Sequence, residues 1–304
     1  MTEPASLNLL VAADDEAHQR FVELVAAVRP ELFRYCARMT GSIFNGEDIV
    51  QETLAKAFQA LAGMTDVPPL KPWLFRIAHN AAMDFLKRYE RKHVDLVAEV
   101  PDIPAADEGG VDPALVEAAL VRFVELPPQQ RSALVLKDVL GHSLAETAAT
   151  MGTSVAAVKA ALVRARANLA AKPAEREGPP AREVSAEERE SLRRYAELFN
   201  NRDWDALRAL MTEESRLDIV TRARRRGPAA AEYYSRYEEI APREELRAEV
   251  GWVDGLPVIA MFRPAASAIP AYFVLIEWHQ NQVAWIRDFR YVPYIAEGAR
   301  YSPG

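Results

Sequence analysis

The stretches GEDIVQETLAKAF, residues 46–58, and PWLFRIAHNAAMDFLKR, residues 72–88, decide the fold of the first part of the chain. In both, apolar residues recur at steps of three and four, which is the spacing of an amphipathic helix. Asn45 or Gly46 is expected to cap the first of these helices, and Pro72 to begin the second. Together with a further helix over residues 17–39, the pattern predicts an all-α bundle.

The second of these helices carries a basic polar face. Between Lys71 and Lys92 there are six basic residues and two acidic ones, which makes the segment a candidate for contacts with phosphates. Arginine and asparagine side chains can also bind base edges. A merely solvated helix face would carry similar charges, and for the charges alone that alternative stays open. The candidate DNA-binding residues are Arg76, Asn80, Asp84, Lys87, Arg88 and Arg91.

Taken together and in this order, the two stretches resemble region 2 of the extracytoplasmic-function (ECF) sigma factors. The resemblance implies that Asp48, Gln51 and Glu52 bind the clamp helices of RNA polymerase. It also implies that the helix from Pro72, with the loop before it (residues 64–71), engages the −10 promoter element. In the family that loop captures a base flipped out of the melted strand, at the expense of base stacking.

A second helical segment, residues 114–170, contains a helix-turn-helix pattern. Gly152 can adopt the left-handed turn conformation between the two helices, and Ser154 is placed to cap the second one. This segment resembles region 4 of the same family, which binds the −35 element. The residues that the resemblance places at that element are Ser154, Ala157, Lys159, Arg164 and Arg166.

The recognition helix of this segment departs from the family pattern. The family commonly carries a polar and a basic residue after the Val-Lys pair, and Ala160 and Ala161 stand there. With Ala156 and Ala157, the helix would offer methyl groups more than hydrogen-bond donors, and methyl groups contact thymine but do not bind guanine well. The hypothesis is therefore weak or unusual −35 recognition.

Residues 93–113 and 171–185 are rich in proline, glycine and charge, and predict two linkers. Beyond the second, residues 186–240 predict helices and residues 246–294 predict aromatic, β-branched strands. This part resembles the SnoaL-like domains, whose fold, shared with ketosteroid isomerase, packs helices inside a curved sheet. The predicted fold class is multidomain: two all-α modules, region 2 over residues 14–92 and region 4 over residues 114–170, plus an α+β SnoaL-like cone over residues 186–304.

Folds of this kind can hold a pocket in which an aspartate or histidine acts as a base. Because the sequence gives no sign that such residues converge, we expect no enzyme, no catalytic residue and no cofactor. Binding of a small-molecule ligand stays an alternative. The candidate residues for a pocket in the tail are Asp218, Trp252, Tyr272, Trp278, His279, Trp285 and Asp288.

The composition argues against several other classes of protein. A net charge of −7 disfavours a protein that coats nucleic acid indiscriminately. Cys36 is the single cysteine, so we expect no intrachain disulfide and no cysteine-based zinc site. We expect no other metal site either. The chain lacks an apolar run of about 18 residues, the length of a membrane helix, and its N-terminal segment lacks the order of a signal peptide. We therefore expect a cytoplasmic protein with no membrane partner.

These features predict an ECF-type sigma factor whose partners are core RNA polymerase and promoter DNA. Its tail would modulate its activity through intramolecular contacts with the helical modules. One alternative is a helix-turn-helix transcription regulator with a ligand-sensing tail that does not bind core polymerase. A second alternative is a SnoaL-like cyclase or isomerase fused to a DNA-binding module. The face formed by Asp48, Gln51 and Glu52 separates the first alternative from the sigma factor, because such a regulator has no need of it.

Overall fold

The computed structural model describes residues 21–92 except 22, 62–63, 65 and 67, then residues 120–171, 182–240 and 245–304. The chain forms two compact units, Met1–Gly178 and Pro179–Gly304. The predicted linker at residues 93–113 and most of the one at residues 171–185 lie outside the described residues. Within the described part, no helix combines the length and the apolar character that crossing a membrane requires.

The first helical part consists of α1 (Arg29–Thr40), α2 (Ile43–Leu61) and α3 (Leu70–Lys92). The expected helix over residues 17–39 is interrupted by a turn at residues 27 and 28, just before Pro30, whose ring is best accommodated in the first turn of a helix. The expected cap of α2 was wrong as well. The helix begins at Ile43, and the hydroxyl of Ser42 accepts the backbone N–H of Asn45 at 3.4 Å.

Gly46 lies inside α2 and has a packing role. A Cβ built at this position would come within 2.6 Å of the backbone of Ala37. Only glycine therefore lets α1 and α2 approach so closely. A larger residue would push apart the two helices that form the back of this bundle.

The second helical part contains α4 (Leu120–Val124), α5 (Pro128–Leu134), a π-helical turn (Val135–Val139), α6 (Leu144–Met151) and α7 (Val155–Ala170). Gly152 has φ 63°, and the hydroxyl of Ser154 accepts the backbone N–H of Ala157 at 3.2 Å. Both sequence predictions for this turn are confirmed. The hydroxyl of Ser143 and the carboxylate of Glu146 form a reciprocal capping box at the start of α6.

The two helical parts pack against each other through a buried polar network. The hydroxyl of Tyr35 on α1 lies 2.9 Å from Nδ1 of His79 on α3 and 2.9 Å from the hydroxyl of Ser132 on α5. Ser132 Oγ and His79 Nδ1 lie 3.0 Å apart, which closes the triangle. Nearby, the rings of Phe75 and His142 meet edge to face with centroids 4.8 Å apart.

Arg131 on α5 adds a second connection between the two parts. Its guanidinium donates hydrogen bonds to the backbone carbonyls of Met39, Val124 and Leu126, and the side chain is almost fully buried. Met39 lies in the last turn of α1, where carbonyl groups have no partner within the helix. A residue of the second helical part therefore caps a helix of the first.

The lowered pKa of His79 predicts that the stability of this packing depends on pH. Burial lowers the pKa of His79 from 6.5 to about 4. Between these values the unfolded chain binds a proton that the folded chain does not, so the free energy of unfolding decreases as the pH falls from 6.5 towards 4, by up to about 3 kcal/mol. Burial also lowers the pKa of His142, which adds to the same trend.

We expect His79→Gln to remove the larger part of this dependence, because glutamine stays neutral over the window. Hydrogen–deuterium exchange of α1 and α3 in urea at pH 7 and pH 5 measures it. His279→Gln, at an exposed site in the second unit, is the matched control. Equal pH dependence in wild-type protein and His79→Gln would contradict the prediction.

The second unit combines helices with a seven-stranded mixed sheet. The strands are β1 (Met211–Ile219), β2 (Ala223–Arg226), β3 (Arg247–Val253), β4 (Leu256–Phe262), β5 (Tyr272–His279), β6 (Gln282–Asp288) and β7 (Tyr301–Pro303). The helices are α8 (Ala186–Asn200), α9 (Trp204–Ala209), α10 (Pro228–Ala231), α11 (Tyr233–Ile240) and α12 (Tyr294–Gly298). The order is β2-β1-β6-β5-β4-β3-β7, so the sheet is open. β1 and β6 run parallel, and the other neighbours are antiparallel.

The four strands expected after residue 246 are present as β3 to β6, but the helices expected over residues 186–240 were partly wrong. Residues 211–226 form β1 and β2. In β1 only Ser215 and Leu217 are buried, so alternation gave little signal. The strand is held by its parallel partner β6, far along the chain, which no local pattern reveals. The core between helices and sheet includes Tyr195, Phe199, Trp204, Leu207, Tyr234, Ile259, Ile276 and Ile286.

Candidate nucleic-acid interface

The polar row predicted on α3 lies on the exposed face of that helix. Arg76, Asn80, Asp84 and Arg88 follow one another at four-residue steps, and all four side chains are exposed, as is Lys87. The opposite face, with Leu74, Ala78 and Ala81, is buried in the bundle. A helix with this division presents guanidinium, amide and ammonium groups together to a partner. Arg91 lies on the same helix, but its side chain is outside the described residues.

The predicted polymerase-binding residues lie on the neighbouring helix α2. Asp48 is exposed, whereas Gln51 and Glu52 are half-buried. The carboxylate of Glu52 contacts Lys56 Nζ at 2.6 Å and Arg88 Nη2 at 4.0 Å. This contact with Arg88 places the predicted polymerase face and the predicted DNA face side by side.

Sequence reasoning missed the buried carboxylate that organises this part of α2. Glu47 is fully buried, forms an ion pair with Arg29 and accepts the amide N–H of Gln51 at 2.8 Å. A buried charge requires such partners, because leaving water without them costs several kcal/mol. Gln51 is thereby held by the bundle. Glu47 directly follows the cap that the sequence predicts at Asn45 or Gly46, so the sequence gave no signal that Glu47 would be interior.

In the helix-turn-helix, α7 exposes Ser154, Ala156, Ala157 and Lys159, while Ala160 is half-buried. Ala161 is buried in the core. The expectation that Ala161 offers a methyl group to DNA was therefore wrong, since its position on the helix faces the rest of the module. The methyl-rich surface consists of Ala156, Ala157 and part of Ala160.

The basic residues expected near phosphates differ in their surroundings. Arg164 is half-buried. Arg166 forms a bidentate ion pair with the buried carboxylate of Asp138, with 2.9 Å from Nε to Oδ2 and 2.8 Å from Nη2 to Oδ1. This hydrogen-bonded pairing raises the pKa of Arg166. A phosphate would have to compete with Asp138 for this guanidinium, so the contact of Arg166 with DNA stays a prediction.

In the second unit, two of the seven candidate pocket residues, Tyr272 and Asp288, belong to the same hydrogen-bonded cluster. The hydroxyl of Tyr233 donates to Asp288 Oδ2 at 2.8 Å, and the hydroxyls of Tyr237 and Tyr272 lie 3.0 Å apart. The backbone N–H of Arg290 donates to Asp288 Oδ1 at 2.8 Å, and its guanidinium lies 4.1 Å from the centroid of the Tyr237 ring. These five residues form a polar cluster within the interior of the domain.

Burial sets the protonation behaviour of this cluster. It raises the pKa of Asp288 and raises the pKa of Tyr272 to about 12, against the opposing effect of the nearby Arg290. Each group is hydrogen-bonded to another member of the cluster.

The other five candidates do not join the cluster. Trp278 is half-buried with its ring centroid 6.4 Å from that of Tyr195. His279 is exposed at the end of β5. Trp252 on β3 is half-buried and lies between the buried residues Gly251 and Val253. Asp218 and Trp285 alternate with core residues of β1 and β6, which places them on the outer face of the sheet.

Comparison with known proteins follows the division of the first unit. The family model Sigma-70 region 2 matches residues 24–92, and the model Sigma-70, region 4 matches residues 116–169. The ECF RNA polymerase sigma factor SigG of Mycobacterium tuberculosis is 34% identical over 233 residues, which cover 66% of this chain and 61% of SigG. The ECF RNA polymerase sigma factor SigM of the same species is 30% identical over 170 residues, which cover 55% of this chain and 84% of SigM.

Among solved structures, the extracytoplasmic function sigma factor SigJ of Mycobacterium tuberculosis aligns over 88% of this chain and 95% of that chain, at 21% identity and a TM-score of 0.35. The matched part of this chain spans 61% of the length of SigG. Both region models match in the order in which they occur here, and SigM is matched over most of its length. This chain belongs to the family of extracytoplasmic-function RNA polymerase sigma factors.

Proposed function

We propose that the chain binds core RNA polymerase, directs it to specific promoters and initiates transcription there. The observation that carries this proposal is the exposed row from Arg76 to Arg88 on α3, next to Asp48 and Glu52 on α2. In this proposal residues 14–92 bind polymerase and the −10 element, and residues 114–170 bind the −35 element. The capped α6–α7 pair supports the second assignment, because such a pair can place a helix in the major groove.

The packing of the two helical parts against each other then corresponds to a closed state that cannot bind a whole promoter. The two promoter elements lie about 25 base pairs apart, or roughly 85 Å at about 3.4 Å per base pair. A compact body of about 130 residues has a radius of gyration of roughly 14 Å. The contacts of Tyr35, Ser132 and Arg131 must therefore break before both elements are bound.

For the C-terminal unit we propose a SnoaL-like fold and a regulatory role. An open, mixed sheet that shares a hydrophobic core with several helices supports the fold assignment. A domain joined by a covalent linker acts at high effective concentration. Contacts that it makes with only one state of the first unit would shift the balance between closed and open forms.

Run-off transcription with core polymerase and genomic promoters tests this proposal. We expect full-length protein to give transcripts that depend on added core polymerase and start at defined sites. A chain ending at residue 170 should change the yield severalfold, because the closed and open forms lose the influence of the tail. The absence of any core-dependent transcript would contradict the sigma-factor proposal, and equal yield from both chains would contradict the regulatory role.

The main alternative is a helix-turn-helix regulator that does not bind core polymerase. It predicts that the protein retains no core polymerase in a pull-down. A sigma factor should retain core polymerase, and Asp48→Lys should weaken that retention because this exposed carboxylate lies on the predicted contact face. Glu197→Lys, at an exposed carboxylate on α8 of the second unit, is the control.

A further inference from the structure

The outer face of the C-terminal sheet carries a concentration of arginine that the functions proposed above do not use. Residues 216–226, RLDIVTRARRR, contain five arginines and one aspartate, in a chain whose net charge is −7. The segment covers the end of β1, the turn and the whole of β2. A charge of +4 over eleven residues, against the sign of the whole protein, sets this surface apart.

Strand register places these arginines in two rows. Leu217 and Ile286 point into the core, so their neighbours in β1 and β6 point outward. Arg226, Arg216 and Trp285 are partners across β2, β1 and β6, and form the first row. Arg224, Asp218 and Arg287 form the second row in the same way. We call Arg216, Arg224, Arg226 and Arg287 the arginine face.

The arrangement is electrostatically unfavourable within the domain itself. Arg216 and Arg226 stand directly opposite each other, and like charges in that position destabilise a strand pair. Both are exposed, and among the described residues neither forms an ion pair. Arg224 lies 3.6 Å from Asp218 but is 83% exposed. An anion bound across the face would relieve this repulsion.

Protection of the sheet edge explains only part of the pattern. Charged side chains on an edge strand discourage pairing with other chains, and β2 is one of the two edge strands. Arg216 on β1 and Arg287 on β6, however, lie on interior strands. Edge protection therefore does not account for the two arginines that extend the face inward.

We propose that the arginine face binds the phosphate backbone of duplex DNA. Guanidinium groups can donate bidentate hydrogen bonds to phosphate oxygens, a geometry that the ammonium group of lysine cannot offer. Arg287 lies 5.2 Å from the centroid of the Trp285 ring, so that ring is already covered by a cation. Base stacking, the main contribution to single-strand binding, is thereby reduced, and the backbone of a duplex is the better match.

Fluorescence anisotropy of the full-length protein on a duplex without promoter elements tests this proposal. The variant Arg216→Gln, Arg224→Gln, Arg226→Gln removes three charges. The control Arg189→Gln, Arg193→Gln, Arg236→Gln removes three exposed arginines from helices of the same unit. We expect the slope of log affinity against log salt to become shallower by about 3 in the first variant and to stay unchanged in the control.

Folding is checked by the thermal midpoint, which should not decrease in the first variant because the repulsion between Arg216 and Arg226 is relieved. Equal salt slopes in the two triple variants would overturn the proposal. Tighter binding to a single-stranded RNA of the same length than to the duplex would overturn it as well. If the wild-type protein gives no core-dependent transcript but binds the duplex with a salt slope that the first variant reduces, the sigma-factor proposal is contradicted and the arginine face still stands.

Discussion

Replacing Arg76, Asn80 and Arg88 by alanine should reduce core-dependent run-off transcription at least about 100-fold. Each contact of this kind with a base or phosphate contributes about 1–3 kcal/mol, and about 2.8 kcal/mol corresponds to a factor of 100. The three side chains lie on the exposed face of α3. Their loss should therefore leave the bundle folded while removing its contacts with the opened promoter.

The control for this variant is Arg34→Ala with Gln59→Ala and Arg189→Ala, which removes two guanidinium groups and one amide from other exposed positions. Circular dichroism and the thermal midpoint should be the same in both. Transcription within a factor of about three of wild type in the α3 variant would refute the assignment of this face to promoter DNA.

Arg131→Met should lower the free energy of unfolding of the first unit by about 4 kcal/mol. A hydrogen bond to a charged group contributes about 1.5–3 kcal/mol, and this guanidinium donates to the carbonyls of Met39, Val124 and Leu126. Methionine fills much of the same volume but donates nothing, so these carbonyls lose a buried donor. The positive charge that complements the C-terminal end of α1 is lost too.

Calorimetry of the full-length protein measures this effect as a decrease of roughly 10 °C in the midpoint of the first unit. Arg131→Lys should recover only part of the loss, because an ammonium group cannot span three carbonyls as a planar guanidinium does. Lys137→Met, at a half-buried site on the neighbouring π-helical turn, is the matched control. A midpoint shift below about 2 °C for Arg131→Met would contradict the role assigned to this residue.

Local periodicity was sufficient to predict α2, α3 and the exposed row on α3, because a stripe of polar side chains needs only the helical repeat. It was not sufficient for the interior of the same helix. Phe75, His79 and Leu86 are buried. They lie outside the apolar stripe that the sequence indicates for this helix, which consists of Leu74, Ile77, Ala78, Ala81, Phe85 and Tyr89. α3 packs against α1 and α2 on one side and against the second helical part on another. The second contact joins segments that are distant in sequence.

The turn chemistry of the helix-turn-helix was predictable for a similar reason. A left-handed glycine and a capping serine act within a few residues of their own position, so Gly152 and Ser154 could be assigned from the sequence. The ion pair of Arg166 with Asp138 and the burial of Glu47 could not. Both depend on which helices pack together, and neither leaves a local signature.

An open sheet has two edge strands, and each one is a place where another molecule could add its own strand. At one edge β2 carries Arg224, Arg225 and Arg226, whose charges repel a second copy of the same edge. At the other, β7 has only three residues and ends at Pro303, which has no N–H to donate. The domain should therefore resist ordered aggregation at high concentration, even though its sheet never closes.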